Sequence, residues 1–360
     1  MSRGTARVVW LVASLLSAVG VGCGGKSDGD AACPEGIIAI VGSAQWSTLE
    51  AAMGTIKPGS DVDVQLCPGT FSSRTFVEEP GGGWGRIILR GHPDGTVLDG
   101  SGDGTVLHLV GDGIIELRDL TLANGYAEVG GGGYRGRGSQ LLILENVRFR
   151  SNEAAADGGA VRLLAEEGGS VAIEDGGGAS VVFEDNRCGG NGGALSLDGE
   201  GFASFSPGSW TFTGNSAGGN GGAVALEGSE VVGMFGDFVA NNNEASGDGG
   251  ALFIQAPNAS GLMLGRVDAF DNRAGPYGGV IRLAGSSTGD LTLASGELSG
   301  NAASEGGAIA ATNGWSLQVT ATSFSDNTPD DVRFAGDSYR SSELGDSFTC
   351  RPDEGCSRTR

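Results

Sequence analysis

A glycine doublet returns through the chain at a nearly constant interval. It appears as Gly158-Gly159-Ala160-Val161, Gly192-Gly193-Ala194-Leu195, Gly221-Gly222-Ala223-Val224, Gly249-Gly250-Ala251-Leu252, Gly278-Gly279-Val280-Ile281 and Gly306-Gly307-Ala308-Ile309. The steps between first glycines are 34, 29, 28, 29 and 28 residues. Such a period marks stacked repeats, each of which buries its apolar face only against its neighbours. The 360 residues therefore do not divide into two ordinary globular domains, as length alone would imply.

Each repeat opens with apolar residues three and five places after its first glycine: Val161/Leu163, Leu195/Leu197, Val224/Leu226, Leu252/Ile254, Ile281/Leu283 and Ile309/Ala311. A spacing of two is the strand period, with one face inward and one outward. The outward positions between them hold Arg162, Ser196, Ala225, Phe253, Arg282 and Ala310, without a carboxylate. A further apolar pair lies later in the repeat, as in Val171/Ile173, Leu262/Leu264, Leu291/Leu293 and Leu317/Val319. Three short strands per repeat, joined by Gly/Asn/Asp/Ser turns, describe one coil of a parallel β-helix whose coils lie about 4.8 Å apart. The predicted fold is all-β: a single-stranded parallel β-helix of roughly ten coils with a short N-terminal capping helix.

An Asn closes each repeat: Asn152, Asn186, Asn215, Asn243, Asn272, Asn301 and finally Asn327. Three places earlier stands Phe149, Phe183, Phe212 or Phe324, with Ala269 and Leu298 in two repeats. The run Asn241-Asn242-Asn243 leaves the register open, since Phe238 precedes the first of the three. Asn tolerates the left-handed conformation at sharp turns, and identical Asn side chains stack as a hydrogen-bonded ladder. The predicted role of the series is structural. The glycine doublets read the same way, supplying positive φ and close backbone approach, since no phosphate-loop G-x-x-x-x-G-K-[ST] follows any strand.

The N-terminus reads as an export signal: Arg3 and Arg7 precede an apolar run from Val8 to about Val21 that is too short to span a bilayer. Small residues Gly20-Val21-Gly22 stand immediately before Cys23. That arrangement resembles the lipobox of bacterial lipoproteins and implies a lipid on Cys23, with the membrane as a partner. The predicted order is a signal peptide over 1–22, a tether over 23–32, a cap and first coil over 33–84, the β-helix over 85–327 with its regular repeats from about 131, and a C-terminal cap over 328–360. Export makes disulfides plausible for Cys33 with Cys67 and for Cys350 with Cys356, leaving Cys188 as a free thiol. His92 and His108 are the only histidines, and no Cys/His cluster with zinc spacing exists.

Net charge is −22, more negative still once Arg3 and Arg7 are removed with the signal. That argues against nucleic acid, anionic lipid and polyanionic sugars as partners. No cofactor is called for and no metal site is predicted. Weak Ca²⁺ binding by the acidic, Gly/Asp-rich surface is the one exception, since that ion takes oxygen ligands. A monomer is expected.

The repeats from about Gly131 to Asn327, pairing G-G-[AV]-[ILV] with F-x-x-N, are similar to those of chlamydial-type polymorphic outer membrane proteins. The resemblance implies a right-handed β-helix displayed at the cell surface as an adhesin-like module, with host, neighbouring-cell or matrix glycans or proteins as partners. That family continues into a membrane β-barrel, so the lipid anchor is the expected replacement here. The N-terminal third resembles the opening of pectate-lyase-like β-helix proteins. Ser47 reads as the N-cap and Glu50 as the third residue of a capping box for a short helix that plugs the coil stack.

That second resemblance raises a polysaccharide lyase or glycoside hydrolase as the alternative to a non-catalytic display module. The lyase pattern R-x-P-x-x-R is absent. Asn327-Thr328-Pro329-Asp330-Asp331 echoes two pieces of the polygalacturonase set but lacks His or Lys partners. The acids gather instead in turns, at Glu184-Asp185, Asp271 and Asp326. No catalytic residue is predicted, and fold alone does not supply one. For a glycan-binding module the surface aromatic candidates are Phe253 and Trp315, with Trp210 expected to point inward.

Overall fold

The computed structural model describes residues 33–79, 83–166, 169–176, 180–205, 208–256, 258–285, 289–312 and 314–359. The predicted signal peptide over 1–22 and the predicted lipidation site Cys23 lie outside the described residues. Contacts divide the chain into a leading unit, residues 1–34, and a unit of residues 35–360, and the fold below is that of the second.

Three parallel ladders build the solenoid. The first runs from Val62–Leu66 through Arg86–Arg90 and Gly113–Arg118 to Trp315–Val319. The second starts at Gly69–Ser72 and ends at Thr322–Ser325. The third starts at Thr75–Glu78 and ends at Val332–Phe334. In the regular repeats single long strands, such as Leu195–Phe205, serve the third ladder and then the first ladder of the next coil. A fourth ladder of two-residue strands, from Tyr126–Ala127 to Arg273–Ala274, follows the Asn positions. The predicted β-helix is thus what these residues form.

Register aligns like residues into columns. One inward column of the second ladder reads Phe71, Leu98, Leu122, Phe149, Phe183, Phe212, Ala240, Ala269, Leu298, Phe324. Within it Phe149 stacks on Phe183 at 4.9 Å and Phe183 on Phe212 at 5.0 Å. Ala240 in this column fixes Asn243 as the ladder residue of its triplet, while Phe238 continues the neighbouring column from Trp210. Trp210 is fully buried, as the sequence implied.

The Asn ladder is continuous from Asn152 to Asn327. Each side-chain Nδ2 donates to the Oδ1 of the next Asn at 2.9–3.0 Å. Its second proton goes to a main-chain carbonyl, Phe149 O for Asn186 and Phe183 O for Asn215. Each interior Oδ1 also accepts the preceding Asn backbone N–H, as from Asn186 to Asn215 at 3.0 Å. These amides are buried and fully used, the condition for burying them at all. The left-handed residue of the turn is not the ladder Asn but the residue before it: Ser151, Asp185, Asn242, Asp271 and Asp326 have φ of 53–56°. Asp tolerates that conformation, which gives the turn acids a backbone reason to be there.

The two glycines of a doublet have different duties. Gly192 has φ +70°, whereas a Cβ on Gly193 would collide with the carbonyl of Gly222 in the next coil. The first is required by conformation, the second by the closeness of the coils.

Both ends are closed. At the N-terminal end a short helix, Leu49–Met53, buries Leu49, Ala52 and Met53. Its N-cap is Thr48, whose Oγ1 accepts from Ala51 N at 3.2 Å, and not Ser47. The later start places Leu49 at the first helical position, where it is buried, and puts Ala51 rather than Glu50 at the third, so no reciprocal capping box forms. At the other end Trp315–Val319 pairs antiparallel with Phe348–Arg351, and Val332–Phe334 with Asp337–Tyr339. Antiparallel cover removes the open edge a β-helix otherwise presents for aggregation. Cys350 and Cys356 form a disulfide within this cap, and Cys33 and Cys67 are both disulfide-bonded. Cys188 is free and 3% exposed, and burial pushes its thiol pKa up to about 12.

Candidate functional site

The chemistry-bearing side chains collect on the outer face of the third ladder. Strand alternation places one outward column there in the order Phe76, His108, Arg135, Arg162, Ser196, Ala225, Phe253, Arg282, Ala310, Arg333. A second outward column carries Glu78, Val110, Arg137, Leu164, Asp198, Glu227, Gln255 and Ala284. The two aromatic platforms expected from the sequence are not on the surface: Phe253 is 2% exposed and Trp315 is fully buried. Phe253 packs with Ala225 and Ala284 in a small apolar cluster outside the main core. Trp315 lies at an inward position, its ring N–H donating to Ala284 O at 3.3 Å.

The turn before the glycine doublets forms a second side-chain ladder. Asp157 Oδ1 accepts from Asn191 N, Asn191 Oδ1 from Asn220 N, and Asn220 Oδ1 from Asp248 N, each at 2.8 Å. This ladder borders the outward columns and brings acids from separate coils together. Glu227 takes Asn191 Nδ2 at 3.2 Å on both carboxylate oxygens. Its neighbour one rung back is Asp198. Burial, and then the charges of Asp157 and Asp198, hold the Glu227 carboxyl above its ordinary pKa, against the opposing pull of Asn191 and Arg162. Ser196, between Arg162 and Ala225, is 2% exposed. Asp198 and Glu227 stand two residues beyond the first outward position of their strands, where the period-two pattern carried further places them. Among the described residues no three such acids come close enough to share a metal ion.

Arginines bracket this acidic stretch. Arg162 pairs with Asp157 at 3.3 Å and donates to the Val129 carbonyl. On the far side Arg282 pairs with Asp248 at 3.4 Å and lies over the Tyr277 ring at 4.5 Å. Burial comes first among the causes for both partners, lowering the Arg282 pKa and raising that of Asp248. Desolvation therefore outweighs the attraction of the pair. Arg333 pairs with Glu305 at 2.9 Å. A surface depression of about 390 Å³ lined by Gly275, Pro276, Tyr277, Ser304 and Glu305 lies beside them.

The remaining sequence candidates have backbone partners. Asp330 Oδ1 accepts from Gly306 N at 2.8 Å. Asp331 accepts from Asn327 Nδ2 at 2.9 Å and from Ser341 N at 2.7 Å, ending the Asn ladder on a carboxylate. The apparent polygalacturonase fragment is thus part of the C-terminal closure. Asn152, Asn186, Asn215, Asn243, Asn272, Asn301 and Asn327 form the buried ladder, none of them on the outer face. His108 is half-buried, and burial followed by the charges of Arg135 and Arg137 lowers its pKa to about 4.

Fold and site together define a capped parallel β-solenoid with a polar outer face assembled from recurring rungs. Residues 180–198 and 211–227 match the Chlamydia polymorphic membrane protein repeat. These segments contain Phe183, Asn186 and the doublet Gly192-Gly193, then Phe212, Asn215 and Gly221-Gly222, the marks that set the rungs. The match and the β-helix together indicate a surface- or outer-membrane-type protein. No curated protein and no solved structure gave a significant match.

Proposed function

We propose that the protein is a non-catalytic envelope module that displays its β-helix for surface interaction, held to the membrane by a lipid on Cys23. The observation that carries this reading is the fixed pairing of the outer face. Arg162, Arg282 and Arg333 are each tied to a carboxylate of the adjoining turns, and Asp157, Asn191 and Asn220 are used by main-chain N–H groups. Stiff, pre-paired surfaces suit recognition, where little ordering entropy is left to lose. Cells carrying the wild-type chain should lose the β-helix to added protease while intact, and Cys23→Ser should release it from the membrane fraction. Retention of Cys23→Ser in the membrane would sink the anchor; protection of the wild type in intact cells would sink the display.

A polysaccharide hydrolase is the second reading, favoured by one observation: Glu227, with its raised pKa, stands one rung from Asp198. A carboxyl with a raised pKa beside a second carboxyl on the neighbouring rung is the kind of pairing that glycoside hydrolysis uses. New reducing ends from any member of a panel of uronates, neutral glucans and peptidoglycan, abolished by Glu227→Gln, would establish it. Their absence across the panel supports the display reading.

A further inference from the structure

Three basic groups occupy successive rungs at the N-terminal end of the outer face, in a chain of net charge −22. His108 pairs in register with Arg135, and Arg135 with Arg162. Arg135 and Arg162 are like charges directly opposite one another, which is destabilising on a sheet, so their company needs a reason. Arg162 has Asp157, and Arg137 has Glu166 at 3.0 Å. The Arg135 side chain has no counter-ion or hydrogen bond among the described residues. Burial, then Arg162 and Arg137, lowers its pKa. Glycines make room for this crowding: a Cβ on Gly131 would come within 3.0 Å of the Arg135 Cβ, and one on Gly130 within 3.1 Å of Arg162 Nη1.

The same strip carries exposed apolar surface. Phe76 is 50% and Val129 49% exposed, the two most exposed large apolar side chains among the described residues. The Phe76 ring lies 4.9 Å from the His108 imidazole. His108 Nε2 is buried without a partner.

We propose that this strip binds a sulfate ester on a glycan, with Arg135 as the anion partner and Phe76 as the platform for the sugar ring. One unpaired cation matches the single charge of a sulfate ester. A phosphate monoester, with about −1.5 to −2 charges at neutral pH, needs a second free cation, and Arg162 and Arg137 are both engaged. The free guanidinium of Arg135 offers its fork of N–H donors to the ester's terminal oxygens. A weakly hydrated guanidinium in a half-buried place pairs best with a weakly hydrated anion. On this proposal the strip takes a sulfated glycan in spite of the net charge of −22, from which polyanionic sugars are expected to be poor partners. This inference rests on the surface-interaction reading and names the ligand class for it.

The test is titration of the full chain, purified in mild detergent, with dextran sulfate and with unsulfated dextran of the same length. Binding to the sulfated polymer alone is expected. Arg135→Gln is expected to weaken it about tenfold, the scale of one lost charge-assisted contact, and Phe76→Ala by several-fold. Phe76 is exposed, so its variant reads binding even if Arg135→Gln unfolds. Arg187→Gln, an exposed arginine paired with Glu153 at 2.8 Å on the fourth ladder, should leave the affinity unchanged. Equal binding of both dextrans, absence of binding, or equal loss in the Arg135 and Arg187 variants would overturn the proposal. Tighter binding of polygalacturonate or polyphosphate than of dextran sulfate would overturn the sulfate assignment. Failure with dextran sulfate while the β-helix stays protease-accessible on intact cells defeats this inference alone and leaves the display reading standing.

Discussion

Asn186 and Asn215 are joined twice: the side-chain Nδ2 of Asn186 donates to Asn215 Oδ1 at 2.9 Å, and its backbone N–H reaches the same oxygen at 3.0 Å. One carbonyl thus satisfies two buried donors of the preceding coil, while Asn215 Nδ2 bridges onward to Asn243 and back to Phe183 O. Asn215→Ala strands both donors of Asn186. Each unmet buried group costs about 1–3 kcal/mol, so a loss of about 3 kcal/mol or more is expected in urea unfolding. Asn215→Asp retains the acceptor but not the two donors and buries a charge, so it should be no better. A loss below 1 kcal/mol in both variants would show that the ladder follows the coil rather than fastening it.

The phenylalanine column makes a separate demand. Phe183 lies between Phe149 and Phe212, with near-parallel rings on both sides and no exposure. Phe183→Ala removes a buried ring from the middle of a stack and is expected to cost about 3–5 kcal/mol. Phe76→Ala, at a half-exposed ring, should stay within about 0.5 kcal/mol. Comparable losses at the two positions would contradict the placement of one inside and one outside.

The solenoid was legible because its signals are local and repeated. The +3/+5 apolar pairs, the glycine doublets and the Asn series each recur at one period, so three weak signals reinforce one another. The reason for the Asn series was only half legible: stacking was evident, but the left-handed turn falls on the preceding residue, as at Asp185 and Asp271. Exposure of individual aromatics was not legible. Phe253 sits at an outward strand position and is covered by neighbours on the next coils, which no single repeat records. The acidic stretch was hidden for the same reason, since Asp157, Asp198 and Glu227 come from different coils and become neighbours only once the register is set.

His108 gives the stability a pH dependence with a definite sign. Its folded-state pKa is lowered to about 4 from 6.5, so between these values the unfolded chain binds more protons. Stability then rises with pH across that window, is complete above 6.5 and is lost as pH falls toward 4. The groups facing the imidazole are Arg135, Arg137 and the Phe76 ring. His108→Gln should flatten this part of the curve in denaturant titrations between pH 4 and 7, and an unchanged slope would show that His108 is protonated as easily in the fold as in solution.

Glu227 predicts the opposite slope. Its folded-state pKa is raised, chiefly by burial, so between the ordinary carboxylate value and the raised one the folded chain holds the extra proton. Increasing pH through that window removes stability, and below it both states are protonated and the cost is absent. Glu227→Gln discards the titration but leaves an oxygen to accept from Asn191 Nδ2. The variant should therefore be more stable than wild type at pH 7 and indistinguishable from it at pH 3, by thermal unfolding at both. A variant less stable at pH 7 would mean that the carboxylate has a favourable partner that outweighs its burial. The neutral-pH result also bears on the hydrolase reading: a carboxyl retained at a stability cost, with no reducing ends produced, belongs to a binding surface rather than to a reaction.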